Sequence, residues 1–311
     1  MACAHHLAAH GADVKVFDKG RRLGGRLATR IQDGFAFNHG APWFAAHDAG
    51  FKHFIEHFEK AGSAARRSNA NGSDFVGIPY MNSLLHPLTA DVDVSQEIEI
   101  SALERRGRNW HLTTFNGQVL GAFDAVAVCI PAPQTQKLIS ALKPDWHASL
   151  SSVEYTPCLT AMAVFDNQIS EYLDRFSNEV AGKHPAIAQC IRQTAGDTTI
   201  HETNLTRWVI HATSIWSARN IEREGIDIAK DLIQQALLAI GQQGTTPIFA
   251  QGHRWRYSQV QTALEKTCLW DASAQLGLAG DWCLGHDVQG AYLSGSDLAA
   301  KLIASRSLKR E

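Results

Sequence analysis

VKVFDKGRRLGGRLATR (residues 14–30) runs from an apolar strand through an acidic tip into a loop of glycine and arginine. That order matches the second half of a dinucleotide-binding βαβ unit, where a carboxylate at the end of the second strand accepts hydrogen bonds from ribose hydroxyls. Asp18 holds that place. Gly24 and Gly25 let backbone approach a ligand closely, and Arg26 offers forked donors suited to a pyrophosphate. The first half of such a unit is a strand and a Gly-x-Gly-x-x-Gly turn about twenty residues upstream of the acidic tip. Here seventeen residues precede Asp18, and none forms that turn.

Upstream, the Ala-rich stretch from Met1 to His10 predicts a helix capped by Gly11. Downstream, Phe35–Phe44 predicts a strand and a turn at Gly40, with helices at about 48–62 and 81–90 and a strand over Val92–Ile98. Residues 99–120 alternate, with turns at Arg106-Gly-Arg and Asn116-Gly, which predicts a small antiparallel meander. Phe123–Ile130 reads as one apolar strand buried on both faces. From about 151 to 265 the pattern changes to strands such as Cys158–Phe165 and Arg207–Thr213 plus one amphipathic helix near 218–240. Leu276–Asp281 is another buried strand, and a final helix starts at Gly290 and ends near Arg306. The expected architecture is α/β: a Rossmann-like nucleotide-binding domain assembled from 1–48, 81–150 and 266–311, and an α+β substrate domain from 49–80 and 151–265.

The 311 residues are 45% hydrophobic and 19% charged, with a formal net charge of −2, as expected of a globular protein that handles a small molecule. That balance speaks against nucleic acid as partner. No apolar run approaches the roughly 18 residues of a membrane span, and no basic and apolar leader opens the chain. Six scattered cysteines lack zinc spacing and disulfide density, so a cytoplasmic location is expected. The pairs His5-His6 and His39/His47 have no Cys or carboxylate at ligand spacing, so no metal is expected.

Two further stretches bear chemistry. In Gly280-Asp-Trp-Cys283, the Asp beyond a buried strand can hold a sugar-alcohol chain, and the helix start expected at Gly290-Ala291 would present free N–H groups and a positive dipole end. His253-Arg-Trp-Arg-Tyr257 alternates basic and aromatic residues, which in a near-neutral chain is the pattern of a two-sided strand.

Together these residues resemble the bacterial renalases, a branch of the flavin amine-oxidase-like family. The blocks that carry the resemblance run in order along nearly the whole chain: VFDKGRRLGGRLATR, NHGAPWFAAHD, VCIPAPQTQKL, YTPCLTAM, RWVIHATSIWSARN, HRWRYS and GDWCLGHDVQGAYLSG. Pro42-Trp43 stand where the family usually has Gln-Tyr. The resemblance implies non-covalent FAD, oxidation of NAD(P)H isomers by hydride transfer to flavin, and O2 as electron acceptor. It assigns Asp18 and Lys19 to the adenosine ribose, Arg26 to the pyrophosphate and Ala41, Pro42 and Trp43 to the isoalloxazine side. Ile98 would meet adenine through its backbone, and Asp281 with Gly290 and Ala291 the ribityl chain and flavin ring.

Family members begin with a strand and glycine turn before the helix that here contains Ala2–His6. The resemblance therefore implies a chain shortened by roughly 15 residues, the length of such a strand and turn. A flavin-free remnant that acts as a binding protein, or has no function, is one alternative; an amine oxidase is another. Oxidation of a dihydropyridine needs orientation more than acid-base help, because loss of hydride leaves an aromatic pyridinium. Flat walls for such a substrate are expected from Phe44, Trp216 and Trp282 beside Trp43, with Met81 and Asn82 as further contacts. No catalytic residue is assigned. His211 and His253 are held in reserve as bases for amine chemistry.

Overall fold

The computed structural model describes residues 1–67, 73–179, 183–193 and 204–307. The chain opens with α1 (Ala2–Ala9), β1 (Lys15–Asp18), β2 (Thr29–Gln32), β3 (Phe35–Asn38) and β4 (Phe44–Ala45). There follow α2 (Ala49–Lys60), β5 (Ala64–Arg66), β6 (Asp74–Gly77), β7 (Asp93–Gln96), β8 (Ile100–Arg106), β9 (Asn109–Thr114), β10 (Val119–Phe123) and β11 (Val126–Val128). Helices α3 (Ala132–Ile139) and α4 (Pro144–Leu150) lead to β12 (Glu154–Asp166), α5 (Ser170–Glu179), β13 (Ile187–Arg192) and β14 (Leu205–Ala212). The rest is α6 (Ser214–Asn220), α7 (Gly225–Ala239), β15 (Phe249–Thr262), β16 (Leu269–Asp271), β17 (Leu276–Leu278) and α8 (Val288–Ser307).

The mixed α/β architecture is the one the sequence predicts. Strand β1 pairs in parallel with β7, Val16 opposite Val94. Strand β17 pairs in parallel with β11 and antiparallel with β16. Helices α1 and α8 pack closely, because Gly295 has no side chain: a Cβ there would lie 3.2 Å from the Cys3 nitrogen. Their shared core contains Cys3, Ala279, Leu298, Ala299 and Leu302. The meander is β8, β9 and β10, tied down by Trp110, whose indole N–H donates to the Ala274 carbonyl.

The antiparallel sheet β13-β14-β12-β15 forms the other unit. Strand side chains alternate between faces, and the two faces of this sheet differ. One, with Leu159, Ala161, Ala163, Trp208 and Ile210, packs on Ile228, Leu232 and Ala236 of α7. The other, with Met162, Val164 and Val209, packs on Phe37 of β3. The β2–β3 hairpin is fastened there by Arg207, which donates to the Ala36 carbonyl at 3.0 Å, and by the Asn38 N–H, which donates to Gln193 Oε1 at 2.9 Å. Pro157 cannot donate to a ladder, and the β12–β15 register shifts between Thr156 and Cys158, as it should where a proline interrupts pairing.

Four expectations are corrected. Phe123 does not open a long buried strand: it closes β10 opposite Trp110, and the strand after it is the three-residue β11, whose only partner among the described residues is β17. The helix expected near 218–240 is two helices, because the chain turns at Ile221–Glu224 and restarts at Gly225, where a Cβ would lie 3.1 Å from the Gly252 carbonyl. The segment 81–90 is a 3-10 helix (Met81–Thr89) containing Pro87, which lacks the N–H that an α-helix would use. Segment 49–80, expected with the substrate unit, shares its core with Met81, Leu84 and Leu88 and packs against Val288 and Tyr292 of α8.

Candidate active site

Ligands of open α/β sheets bind beyond the carboxyl ends of the parallel strands. Asp18 ends β1, Ile98 follows β7, and Asp281 follows β17. Asp18 Oδ1 accepts from the Gly20 N–H at 2.7 Å, which shapes the acidic tip, and the Asp18 carbonyl accepts from the Ile98 N–H at 3.0 Å. Ile98 therefore keeps only its carbonyl for a ligand. Lys19 lies 3.6 Å from Glu99 on the surface.

Gly24 (φ 132°) and Gly25 (φ 52°) lie in the left-handed region and turn the chain so that Arg26 points inward. Its guanidinium forks onto Asp281, with Nη1 2.6 Å from Oδ2 and Nη2 2.7 Å from Oδ1. Nη1 also donates to the Ser258 carbonyl at 3.1 Å. Burial disfavours the Arg26 charge, but the hydrogen bonds and charge of Asp281 outweigh it and raise the pKa. Tyr155 stands beside the pair: burial, and then the Asp281 charge, push its phenol up. Its ring meets Tyr257 edge-on at 5.6 Å.

The loop after β3 contacts both the Arg26 backbone and the sheet β13-β14-β12-β15. Ala41 N–H donates to the Arg26 carbonyl at 2.8 Å. The His39 carbonyl accepts from Trp255 Nε1 at 3.0 Å and from His211 Nε2 at 3.3 Å. The His39 ring lies 4.8 Å from that of His253 and 5.0 Å from that of Trp255. Arg30 Nη2 donates to His253 Nδ1 at 3.3 Å, which leaves the proton of the neutral ring on Nε2. His39 Nδ1 is buried without a hydrogen-bond partner among the described residues. Burial pulls all three histidines down, His39 to about 3 and His211 and His253 to about 4; nearby His253 and Arg30 add to the effect at His39, and Arg30 and Arg254 at His253.

The final helix differs from the expectation in one respect. It starts at Val288, not Gly290, and Asp287 caps it: Gly290 N–H donates to Asp287 Oδ1 at 2.6 Å and Ala291 N–H to the Asp287 carbonyl at 3.2 Å. The free N–H groups expected at Gly290 and Ala291 are therefore already engaged.

The structure brings Arg26, Ala41 and Asp281 together, but not the expected aromatic wall. Trp43 stacks under the Arg67 guanidinium at 3.9 Å. Phe44 and Met81 lie in the core around Phe51 and Phe75, Trp282 lies in the core with Leu276 and Leu278, and Trp216 packs on the α7 side of the substrate sheet. Trp282 is held there by its indole N–H, which donates to the Ile130 carbonyl at 3.1 Å. Asn82 donates to the Leu23 carbonyl and lines a separate cavity of about 560 Å³ with Arg22, Tyr80, His86 and Gln96. Tyr155, Tyr257 and Trp255 are not among the expected contacts, although the blocks YTPCLTAM and HRWRYS contain them.

Residues 65–303 match the flavin-containing amine oxidoreductase profile and residues 1–58 that of the NAD(P)-binding Rossmann-like domain. The chain belongs to the flavin-containing amine oxidoreductase family and is an FAD-dependent oxidoreductase. Among solved structures it is similar to a protein described as a protoporphyrinogen oxidase from Exiguobacterium sp. 255-15, with 14% identity and a TM-score of 0.69 over 99% of this chain and 96% of that one. Cyclohexylamine oxidase from Brevibacterium oxydans IH-35A is 11% identical, with a TM-score of 0.66 over 99% of this chain and 97% of that one. Putrescine oxidase bound to putrescine is 11% identical, also with a TM-score of 0.66, over 97% of this chain and 96% of that one. At such identities the likeness is one of fold. The acidic tip at Asp18 fits the ribose of a flavin dinucleotide, while the Arg26 fork and the Asp281 carboxylate, of types suited to a pyrophosphate and a ribityl chain, are bonded to each other in this structure. No helix among the described residues is long and apolar enough to cross a membrane.

Proposed function

We propose that this chain oxidises a dihydronicotinamide-type substrate, an isomer of NAD(P)H, with O2 as the final electron acceptor, as in the bacterial renalases it resembles. The observation that carries this reading is that His211 and His253 are each engaged through a ring nitrogen, His211 with the His39 carbonyl and His253 with Arg30, and burial lowers the pKa of both, which makes them weak bases. Loss of hydride from a dihydropyridine releases no proton, so such a site has to orient its substrate and need not deprotonate it. Bound flavin supplies the hydride acceptor.

In this proposal Asp18 and Lys19 hold the ribose, Arg26 the pyrophosphate and the Ile98 carbonyl the adenine. Ala41, Pro42 and Trp43 flank the flavin ring, and Asp281 holds the ribityl chain beside Gly290 and Ala291. Tyr155 stands beside Asp281 and meets Tyr257 edge-on, and in this proposal the two tyrosines take the place of the expected tryptophan wall.

The family profile supports a second reading, an amine oxidase. One experiment separates the two. The FAD-loaded chain is mixed anaerobically with dihydronicotinamide isomers, and separately with putrescine and cyclohexylamine, while flavin absorbance is followed. Bleaching by the first set alone is the expected result, and bleaching by an amine alone would replace the proposal with the second reading.

A further inference from the structure

The His39 carbonyl takes its two hydrogen bonds from side chains on two different strands, His211 of β14 and Trp255 of β15. Between them lies β12, where Thr160 stands opposite both His211 and His253. The next two residues of the loop lie close against the Arg26 backbone. A Cβ on Gly40 would fall 2.0 Å from the Arg26 carbonyl oxygen and 3.3 Å from the Trp255 ring. Ala41 N–H is bonded to that same Arg26 carbonyl, and the Arg26 side chain forks onto Asp281.

We propose that His211 and Trp255 are positioning residues: by clamping the His39 carbonyl they set, through Gly40, Ala41 and the Arg26 backbone, where the flavin ring stands against the substrate sheet. This rests on the assignment of Ala41–Trp43 to the flavin ring in the reading above. The two donors suit the role. An indole N–H has no acceptor function to exchange, and a neutral imidazole brings one N–H for the second bond. The His39 ring also lies 5.0 Å from the Trp255 ring, so side chain and carbonyl meet the same tryptophan. Hydride transfer depends steeply on the placement of the reacting atoms. Loss of the clamp should therefore appear in flavin reduction and in the flavin's own spectrum before it appears in substrate affinity.

Three variants of the FAD-loaded chain test this. Trp255→Phe keeps an aromatic ring and removes the N–H, His211→Leu removes the second donor, and His211→Gln returns an N–H at similar reach. Trp255→Phe and His211→Leu are each expected to shift the visible flavin bands and slow anaerobic reduction about tenfold, with substrate Kd changed less than about twofold. His211→Gln should recover the parent spectrum and most of the rate. If Trp255→Phe does not fold, the His211 pair decides alone. Parent-like spectra and rates in Trp255→Phe and His211→Leu overturn the proposal, as does His211→Gln behaving like His211→Leu. Asp281→Ala separates the two levels of failure. If it sheds FAD while the clamp variants stay parent-like, the cofactor site stands and the clamp falls; if it too retains FAD with an unchanged spectrum, the cofactor assignment falls with it.

Discussion

Asp281 is 4% exposed and bonded to both terminal nitrogens of Arg26. Removing one partner of a buried ion pair leaves the other charge uncompensated and costs about 3–5 kcal/mol. Asp281→Ala should cost less than that, about 1–3 kcal/mol, since the Arg26 side chain is 30% exposed and keeps its bond to the Ser258 carbonyl, and should weaken FAD retention; denaturant melts and flavin absorbance after gel filtration measure both. Each member of the pair was legible as a chemistry-bearing residue, because Asp281 follows a buried strand and Arg26 a double glycine. Their partnership was not, since 255 residues separate them and a composition pattern carries no register over that distance. The His39 carbonyl left even less trace. A backbone acceptor has no letter of its own, and its donor Trp255 sits in an alternation that any two-sided strand would show.

At the level of elements, close approaches of backbone decide how the units lock. Gly252 in β15 lies under the start of α7, where a Cβ would fall 2.0 Å from the Gly225 carbonyl oxygen. Gly252→Ala should force α7 away from the sheet and destabilise the chain by about 1–3 kcal/mol, as overpacking does, with the flavin spectrum unchanged. Gly40→Ala meets the Arg26 carbonyl at the same 2.0 Å, but there the displaced segment is the loop that the proposal assigns to the flavin ring. It is expected to lose FAD as well as stability, and comparison of the two variants by melting and flavin content checks the difference. Strands β1, β3, β7 and β17 and helices α1, α2 and α8 were legible within a few residues from periodicity and glycine stops. The break between α6 and α7 was not, because Glu222-Arg223-Glu224 suits a helix surface and the turn is secured by tertiary contacts, Arg223 with Asp231 at 2.5 Å and Arg256 with Glu222 at 2.7 Å.

For the whole molecule, the buried His39 and His211 and the half-buried His253 link stability to pH. Their folded pKa values, about 3 for His39 and about 4 for His211 and His253, lie below the ordinary 6.5. The unfolded chain therefore binds more protons in that window. Their contribution is complete above about pH 6.5 and is lost as the pH falls toward 4 and then 3, with a limiting slope of about 1.4 kcal/mol per pH unit for each histidine. The melting temperature should fall on acidification from neutral pH, and His253→Gln should flatten that fall; an unchanged slope would mean that His253 titrates normally. The same neutrality underlies the account of catalysis, in which the protein orients a hydride donor and moves no proton. The most direct measurement is the rate constant for anaerobic bleaching of the FAD-loaded chain by a dihydronicotinamide isomer, followed from about pH 3.5 to about pH 8, a window that spans the His253 value of about 4. The account predicts a flat profile in the parent and in His253→Gln. A sigmoidal rise in the parent that disappears in His253→Gln would show a histidine acting as base and contradict it.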